Sequence, residues 1–132
     1  MRDVSWNPFA GASWIKTLTD YGEVCPVFRK IFTLRKDVKS ATLYISALGV
    51  YEAELGGKRV GDFILAPGWT SYEKRVQYQA YDVTGLLGME NQLYITLGKG
   101  WYAGRIANLA GVSERAVRHP AIICALHITC QD

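Results

Sequence analysis

The sequence predicts an all-β fold, a sandwich or barrel of antiparallel strands, and three features carry that reading. Apolar residues seldom recur at the i, i+3, i+4 spacing of a helix, short β-rich runs alternate with period two, and Gly, Pro, Asn and Asp separate those runs. At 132 residues the chain suits one domain. Hydrophobic residues make up 49% and charged residues 20%, enough apolar surface for a core and too much for a disordered chain.

The strands follow in order. Phe28, Lys30, Phe32 and Leu34 alternate with Arg29, Ile31 and Thr33, and Leu43, Ile45 and Ala47 alternate with Thr42, Tyr44 and Ser46, each run having one apolar face. After Gly49, Tyr51, Ala53 and Leu55 predict a third strand. Gly56-Gly57 suits a tight hairpin because both positions can take positive φ, which makes residues 58–65 the expected return strand. Val76, Tyr78 and Ala80 oppose Gln77, Gln79 and Tyr81, and Leu93, Ile95 and Leu97 oppose Gln92, Tyr94 and Thr96. Between these two strands, residues 82–88 hold a capping Asp82 and two leucines, which predicts a single helical turn.

The last strand spans residues 121–129. Ile122, Cys124, Leu126 and Ile128 share one face and Ala121, Ile123, Ala125, His127 and Thr129 the other, and two largely apolar faces predict a central position in a sheet. The expected core is Leu43, Ile45, Val76, Tyr78, Leu93, Ile95, Leu97 and Leu126, between two antiparallel sheets. No later sequence pairs the far edge of the last strand, so the chain is expected to be part of a longer multidomain protein, and that open edge favours self-association. Residues 1–13 read as an N-terminal extension. Residues 66–72 and the long loop 99–120 read as irregular, and each carries a tryptophan.

Several function classes lack support. The formal net charge of +3 comes from 15 basic and 12 acidic residues without a long run of one sign, so no nucleic-acid surface is expected. No apolar stretch is long enough for a membrane-spanning helix, and Asp3, Trp6, Asn7 and Pro8 stand where a signal peptide needs an apolar core. Three cysteines, Cys25, Cys124 and Cys130, without C-x-x-C spacing fit a reducing, cytoplasmic compartment, and Cys124 and Cys130 read as small buried hydrophobes. Glu52 and Glu54 point to one face of a strand, the arrangement of paired catalytic carboxylates, but they equally suit a solvated sheet face, and the latter is preferred. His127 points away from Cys124 and Cys130, so no metal or other cofactor is expected, and His119 reads as a solvated loop residue. No G-x-S-x-G or phosphate-loop frame is present; Gly98-Lys99-Gly100-Trp101 lacks the ending such a loop requires.

Aromatic residues remain: four Trp and eight Tyr, several beside Gly and Arg in loops. Aromatic faces stack on the C–H faces of sugars while Arg and Asn bond hydroxyls, so Trp69, Tyr72, Trp101, Tyr102 and Arg105 are candidate carbohydrate-binding residues. The same residue types also build cores and protein interfaces.

ISALGVYEAELGGKRVGDFILAPGWTSYEKRVQYQAYDVTGLL, residues 45–87, followed by NQLYITLGKGWYAGR, residues 91–105, resembles the N-terminal β-sandwich region of bacterial alpha-L-rhamnosidases of glycoside hydrolase family 78. WIKTL from Trp14 and CPVFRKIFTLRK, residues 25–36, resemble the segment leading into it. The resemblance implies a jelly-roll, galactose-binding-like β-sandwich of two antiparallel sheets. It implies a noncatalytic accessory domain, because the catalytic carboxylates of that family lie in a separate α/α-barrel, and so no enzyme in this chain alone. Its partners would be a rhamnose-containing glycoside or the catalytic domain of the same chain. Some related modules hold calcium through an Asp-Asn pair where this chain reads Ser46-Ala47-Leu48-Gly49.

Overall fold

Period-two alternation produces seven strands over residues 6–104 and 118–132, the part of the chain that the computed structural model describes. In chain order they are β1 (Val27–Thr33), β2 (Val38–Leu48), β3 (Val50–Leu55), β4 (Lys58–Arg59), β5 (Gln79–Asp82), β6 (Glu90–Gly98) and β7 (Ala121–Cys130). A 3-10 turn, Thr84–Leu86, stands between β5 and β6, and one helical turn, α1 (Gly100–Ala103), follows β6. None of the described helices is long and apolar enough to cross a membrane.

The strands pair antiparallel in two sheets, ordered β1-β6-β3-β4 and β5-β2-β7. Leu43, Ile45 and Ala47 of β2 are buried with Tyr51, Ala53 and Leu55 of β3 and Leu93, Ile95 and Leu97 of β6. Every second residue of these strands thus enters one core between the sheets, and the predicted all-β sandwich is the observed fold. Gly56 and Gly57 take φ of +62° and +79°, the left-handed pair that a two-residue hairpin between β3 and β4 requires. At the 3-10 turn, the Asp82 carboxylate accepts from the Thr84 N–H at 3.0 Å and from its hydroxyl at 2.6 Å. Thr84 Oγ1 in turn accepts the Ala41 N–H at 2.9 Å, which ties the turn to β2. Buried Asn91 closes the following bend, accepting the Gly88 N–H and donating to the Gly88 carbonyl, both at 2.9 Å.

Four expectations need correction. The return strand is two residues long, because Val60 turns into the core, its N–H bonded to the Ala53 carbonyl, and Gly61 and Leu65 take φ of +69° and +57°. Val76 lies outside any strand, and β5 has the opposite parity to that expected. Tyr81 packs against the core and Gln79 accepts a hydrogen bond from buried Tyr51, while Tyr78 lies on the outer face, 46% exposed, against Phe9 and Tyr44. β7 is an edge strand and not a central one. Both of its faces are apolar because one meets the core and the other lies under the N-terminal segment: Trp6 and Phe9 pack on Tyr44, which touches His127, and Pro8 O lies 2.8 Å from the His127 ring. The far edge of β7 also has one partner, Ile15, bridged to Ile122. Finally, α1 occupies the start of the long loop; residues 105–117 lie outside the described residues.

Candidate functional site

Two loops meet at one end of the sandwich, and backbone pairing fixes both. The Tyr51 N–H donates to the Ala66 carbonyl at 2.8 Å, and the Tyr51 hydroxyl donates to Gln79 Oε1 at 2.8 Å and lies 2.9 Å from the Tyr81 hydroxyl. Gln79 Nε2 reaches the Pro67 carbonyl at 3.4 Å, so buried Ala66 and Pro67 are anchored to β3 and β5. Beyond them the chain folds on itself: the Thr70 hydroxyl donates to the Arg75 carbonyl at 2.8 Å, and the Lys74 and Arg75 N–H groups donate to the Ser71 carbonyl. The second loop leaves β6 at Gly98. Gly100, at φ +52°, lies so close to β3 that an added Cβ would stand 2.7 Å from Val50 Cγ1, and only glycine fits. That close approach starts α1, where Ala103 is buried and Trp101 and Tyr102 are held beside the first loop.

The loops join through their rings. Trp69 and Trp101 are parallel within 3° with centroids 5.9 Å apart, and Tyr72 meets Tyr102 edge to face at 5.2 Å. Such pairs contribute about 0.5–1.5 kcal/mol beyond the area they bury. The Arg118 guanidinium stands 5.2 Å from the Tyr102 ring centroid and donates to Glu73 Oε1 at 2.7 Å. Both partners are partly solvated, so the ion pair orients the groups more than it stabilises the fold. Trp69 remains 56% exposed. The structure therefore brings together four of the five predicted residues, Trp69, Tyr72, Trp101 and Tyr102; the fifth, Arg105, lies outside the described residues. Arg118 is the cation that sequence reasoning missed. It lies 45 residues from Glu73, beside an unremarkable His119-Pro120 pair, and no local pattern marks it.

The other candidate groups form no comparable site. Glu52 and Glu54 lie on an exposed sheet face, with Glu52 3.5 Å from Arg59. Burial, followed by the hydrogen bond and charge of Tyr81, pushes the Tyr51 hydroxyl above the ordinary tyrosine range, so it stays protonated and acts as a structural donor. Burial alone raises the Cys124 thiol. Cys124 and Cys130 are half-buried, and Cys25 is exposed on the approach to β1. His119 is exposed and lines a small cavity of about 170 Å³ together with Asp20, Glu23, Cys25 and Lys99. Among the described residues, no three His, Cys, Asp or Glu side chains form a group that could hold a metal ion.

Comparison with known proteins gives a consistent picture. Residues 36–132 match the family model described as the alpha-L-rhamnosidase N-terminal domain. An alpha-L-rhamnosidase of Streptomyces avermitilis is 43% identical over 120 residues, covering 85% of this chain and 12% of its own length. One from an Alteromonas species is 36% identical over 143 residues, covering all of this chain and 15% of its own. Among solved structures, the native alpha-L-rhamnosidase of Aspergillus terreus superposes with a TM-score of 0.79 at 37% identity, over 90% of this chain and 14% of that one. The Streptomyces avermitilis enzyme complexed with L-rhamnose superposes with a TM-score of 0.73 at 44% identity, over 80% of this chain and 10% of that one. The chain thus spans a small part of the length of the relatives it matches.

Proposed function

Because the chain belongs to the alpha-L-rhamnosidase N-terminal domain family, we propose that it serves as a noncatalytic accessory domain of such an enzyme and contacts carbohydrate through its aromatic cluster. The observation that carries this reading is the Trp69–Trp101 stack with Trp69 still 56% exposed. The stack holds both indoles rigid and leaves apolar ring surface for the C–H face of a sugar, at little further cost in side-chain entropy. Arg118 and Glu73, beside the tyrosine pair, supply a cation and a carboxylate of the kind that bond sugar hydroxyls.

A second reading, packing against the catalytic domain of the same polypeptide, draws support from a different observation. The polar groups of the cluster already bond within it: the Tyr72 hydroxyl donates to the Gly68 carbonyl at 3.4 Å and Arg118 to Glu73. A surface whose Tyr72 hydroxyl and Arg118–Glu73 pair are already bonded, with the Trp69 ring exposed, suits a protein neighbour.

Tryptophan fluorescence of the 132-residue chain, titrated with L-rhamnose and methyl alpha-L-rhamnoside, separates the two. Saturable quenching that disappears in Trp69→Ala and Trp101→Ala, with the fold intact by circular dichroism, supports sugar contact. An unresponsive folded chain sinks that reading and leaves interdomain packing. Release of nitrophenol from an aryl alpha-L-rhamnoside by the purified chain would contradict the noncatalytic role.

A further inference from the structure

A cleft of about 510 Å³ opens between β1 and β7 and is walled by core residues such as Phe28, Ile95 and Leu126. The cavity of about 170 Å³, between the segment before β1 and the end of β6, is of another chemical kind. Local bonds shape its wall. Asp20 accepts the Gly22 N–H at 2.8 Å, Gly22 takes φ of +63°, and the Val24 N–H donates to the Tyr21 carbonyl at 3.2 Å, so the segment turns back on itself. The Leu97 N–H donates to the Pro26 carbonyl at 2.9 Å, and Cys25 Sγ stands so near Gly98 that an added Cβ would lie 3.7 Å from it. These contacts tie the segment to β6, and His119 and Pro120, just before β7, complete the lining.

Asp20 and Glu23 bring acceptors to this cavity, Lys99 brings donors, and the His119 ring does either by tautomer. Among the described residues, the side chains of Glu23, Lys99 and His119 make no hydrogen bond or ion pair. Open polar groups of both kinds select a ligand that donates and accepts, as every sugar hydroxyl does, and two carboxylates against one lysine disfavour an anion. Val24, Pro26, Leu97 and Pro120, with the Tyr21 ring, supply apolar surface for a C–H face. At about 30 Å³ for each water the cavity has room for roughly six, on the order of one sugar ring. We propose that it binds one neutral monosaccharide unit, as a carbohydrate site separate from the aromatic cluster. Lys99 already has helical φ and ψ of −66° and −37°, and Trp101 follows two residues and about 200° later, so the two side chains leave α1 on opposite sides. Likewise Arg118 serves the cluster, while His119 lines the cavity.

The test uses the folded 132-residue chain and a probe already in the cavity wall. Cys25 lines the cavity and is exposed, whereas Cys124 and Cys130 lie on β7, so alkylation by iodoacetamide, followed at each cysteine by mass spectrometry, reports occupancy with two internal controls. L-Rhamnose should slow Cys25 alkylation saturably and leave the β7 cysteines unchanged. At about four times the Kd the slowing should be about fivefold, one plus the ratio of free ligand to Kd. Lys99→Met, which keeps the stem and removes the donors, should raise the Kd read this way at least about tenfold, and Glu23→Gln should raise it as well. Unchanged Cys25 alkylation overturns the site whatever the variants do, as does equal slowing at all three cysteines or undiminished protection in Lys99→Met. Protection by L-serine equal to that by L-rhamnose overturns the choice of a neutral sugar. The Trp69 and Trp101 indole signals separate this proposal from the proposed function: shifts there without Cys25 protection overturn the cavity site and keep the cluster, and protection without shifts does the reverse.

Discussion

Ile95→Ala is the sharpest probe of the two-sheet core. Ile95 is 2% exposed, pairs with Phe28 of β1 on one side and Ala53 of β3 on the other, and points between the sheets. The substitution removes three carbons from that site. At about 0.8 kcal/mol per buried methylene-sized group, the transfer part of the loss is roughly 2.4 kcal/mol. A cavity contribution is normally added, and it takes large-to-small changes of this kind up to about 5 kcal/mol. Here it is small, because Ile95 also lines the open cleft of about 510 Å³, and the vacated volume joins space that already exists instead of forming a sealed void. The expected destabilisation is therefore about 2–3 kcal/mol, in the lower half of the range for such substitutions. Urea unfolding followed by fluorescence and by circular dichroism gives the number, provided the two transitions coincide and the slope is unchanged. A loss below about 1 kcal/mol would refute the burial argument, since it is the cost expected of a surface position. A loss near the top of the range would refute the reasoning about the cleft.

Tyr51→Phe removes the hydroxyl that links Gln79 and Tyr81 across the sheets, and a cost of about 1–2 kcal/mol is expected in the same unfolding assay, moderated because both partners are half-buried and can reach water. Asn91→Ala leaves Gly88 without the side-chain partner for its N–H and carbonyl, and should cost about 1–3 kcal/mol by urea unfolding; Asn91→Asp should restore the bond to the N–H only. The Asp82 carboxyl is held below its ordinary value of 3.8 by the Thr84 hydroxyl and then by the Thr84 N–H. Its contribution to stability is therefore fully present above that value and fades as the pH falls through the lower folded value, so the stability difference between the wild type and Asp82→Asn should shrink in acid and stay level from pH 5 to 8. A double-mutant cycle on Trp69 and Trp101 should return a coupling of about 0.5–1.5 kcal/mol, and a coupling near zero would deny the stack.

Particular residues explain how far the sequence is legible. β2, β3 and β6 obey simple alternation because one face of each meets the core and the other carries polar residues, Thr42 and Ser46 on β2, Glu52 and Glu54 on β3, Gln92 and Thr96 on β6, and the Gly56-Gly57 hairpin is legible because its two positive φ values restrict the residues that can stand there. β5 misleads because the inward positions are Gln79 and Tyr81, whose polarity is satisfied by Tyr51, while the outward Tyr78 finds aromatic cover from Phe9. β7 misleads for a related reason. An N-terminal segment distant in sequence covers its outer face, so apolar residues on both sides do not signal a central strand. The aromatic cluster is legible as residue types near glycines, yet its pairing of Trp69 with Trp101 and Tyr72 with Tyr102 is tertiary. Arg118 enters it by a long-range contact that leaves no trace in spacing.

The most direct measurement follows the four tryptophan indole N–H signals of ¹⁵N-labelled chain by NMR as L-rhamnose is added. Trp6, near Tyr44, serves as an internal control away from the Trp69–Trp101 stack, and assignment follows from single Trp→Phe variants. The account predicts saturable shifts of the Trp69 and Trp101 indoles with the Trp6 signal unmoved. Four unmoved signals, or shifts of equal size at Trp6, would contradict carbohydrate contact through this cluster.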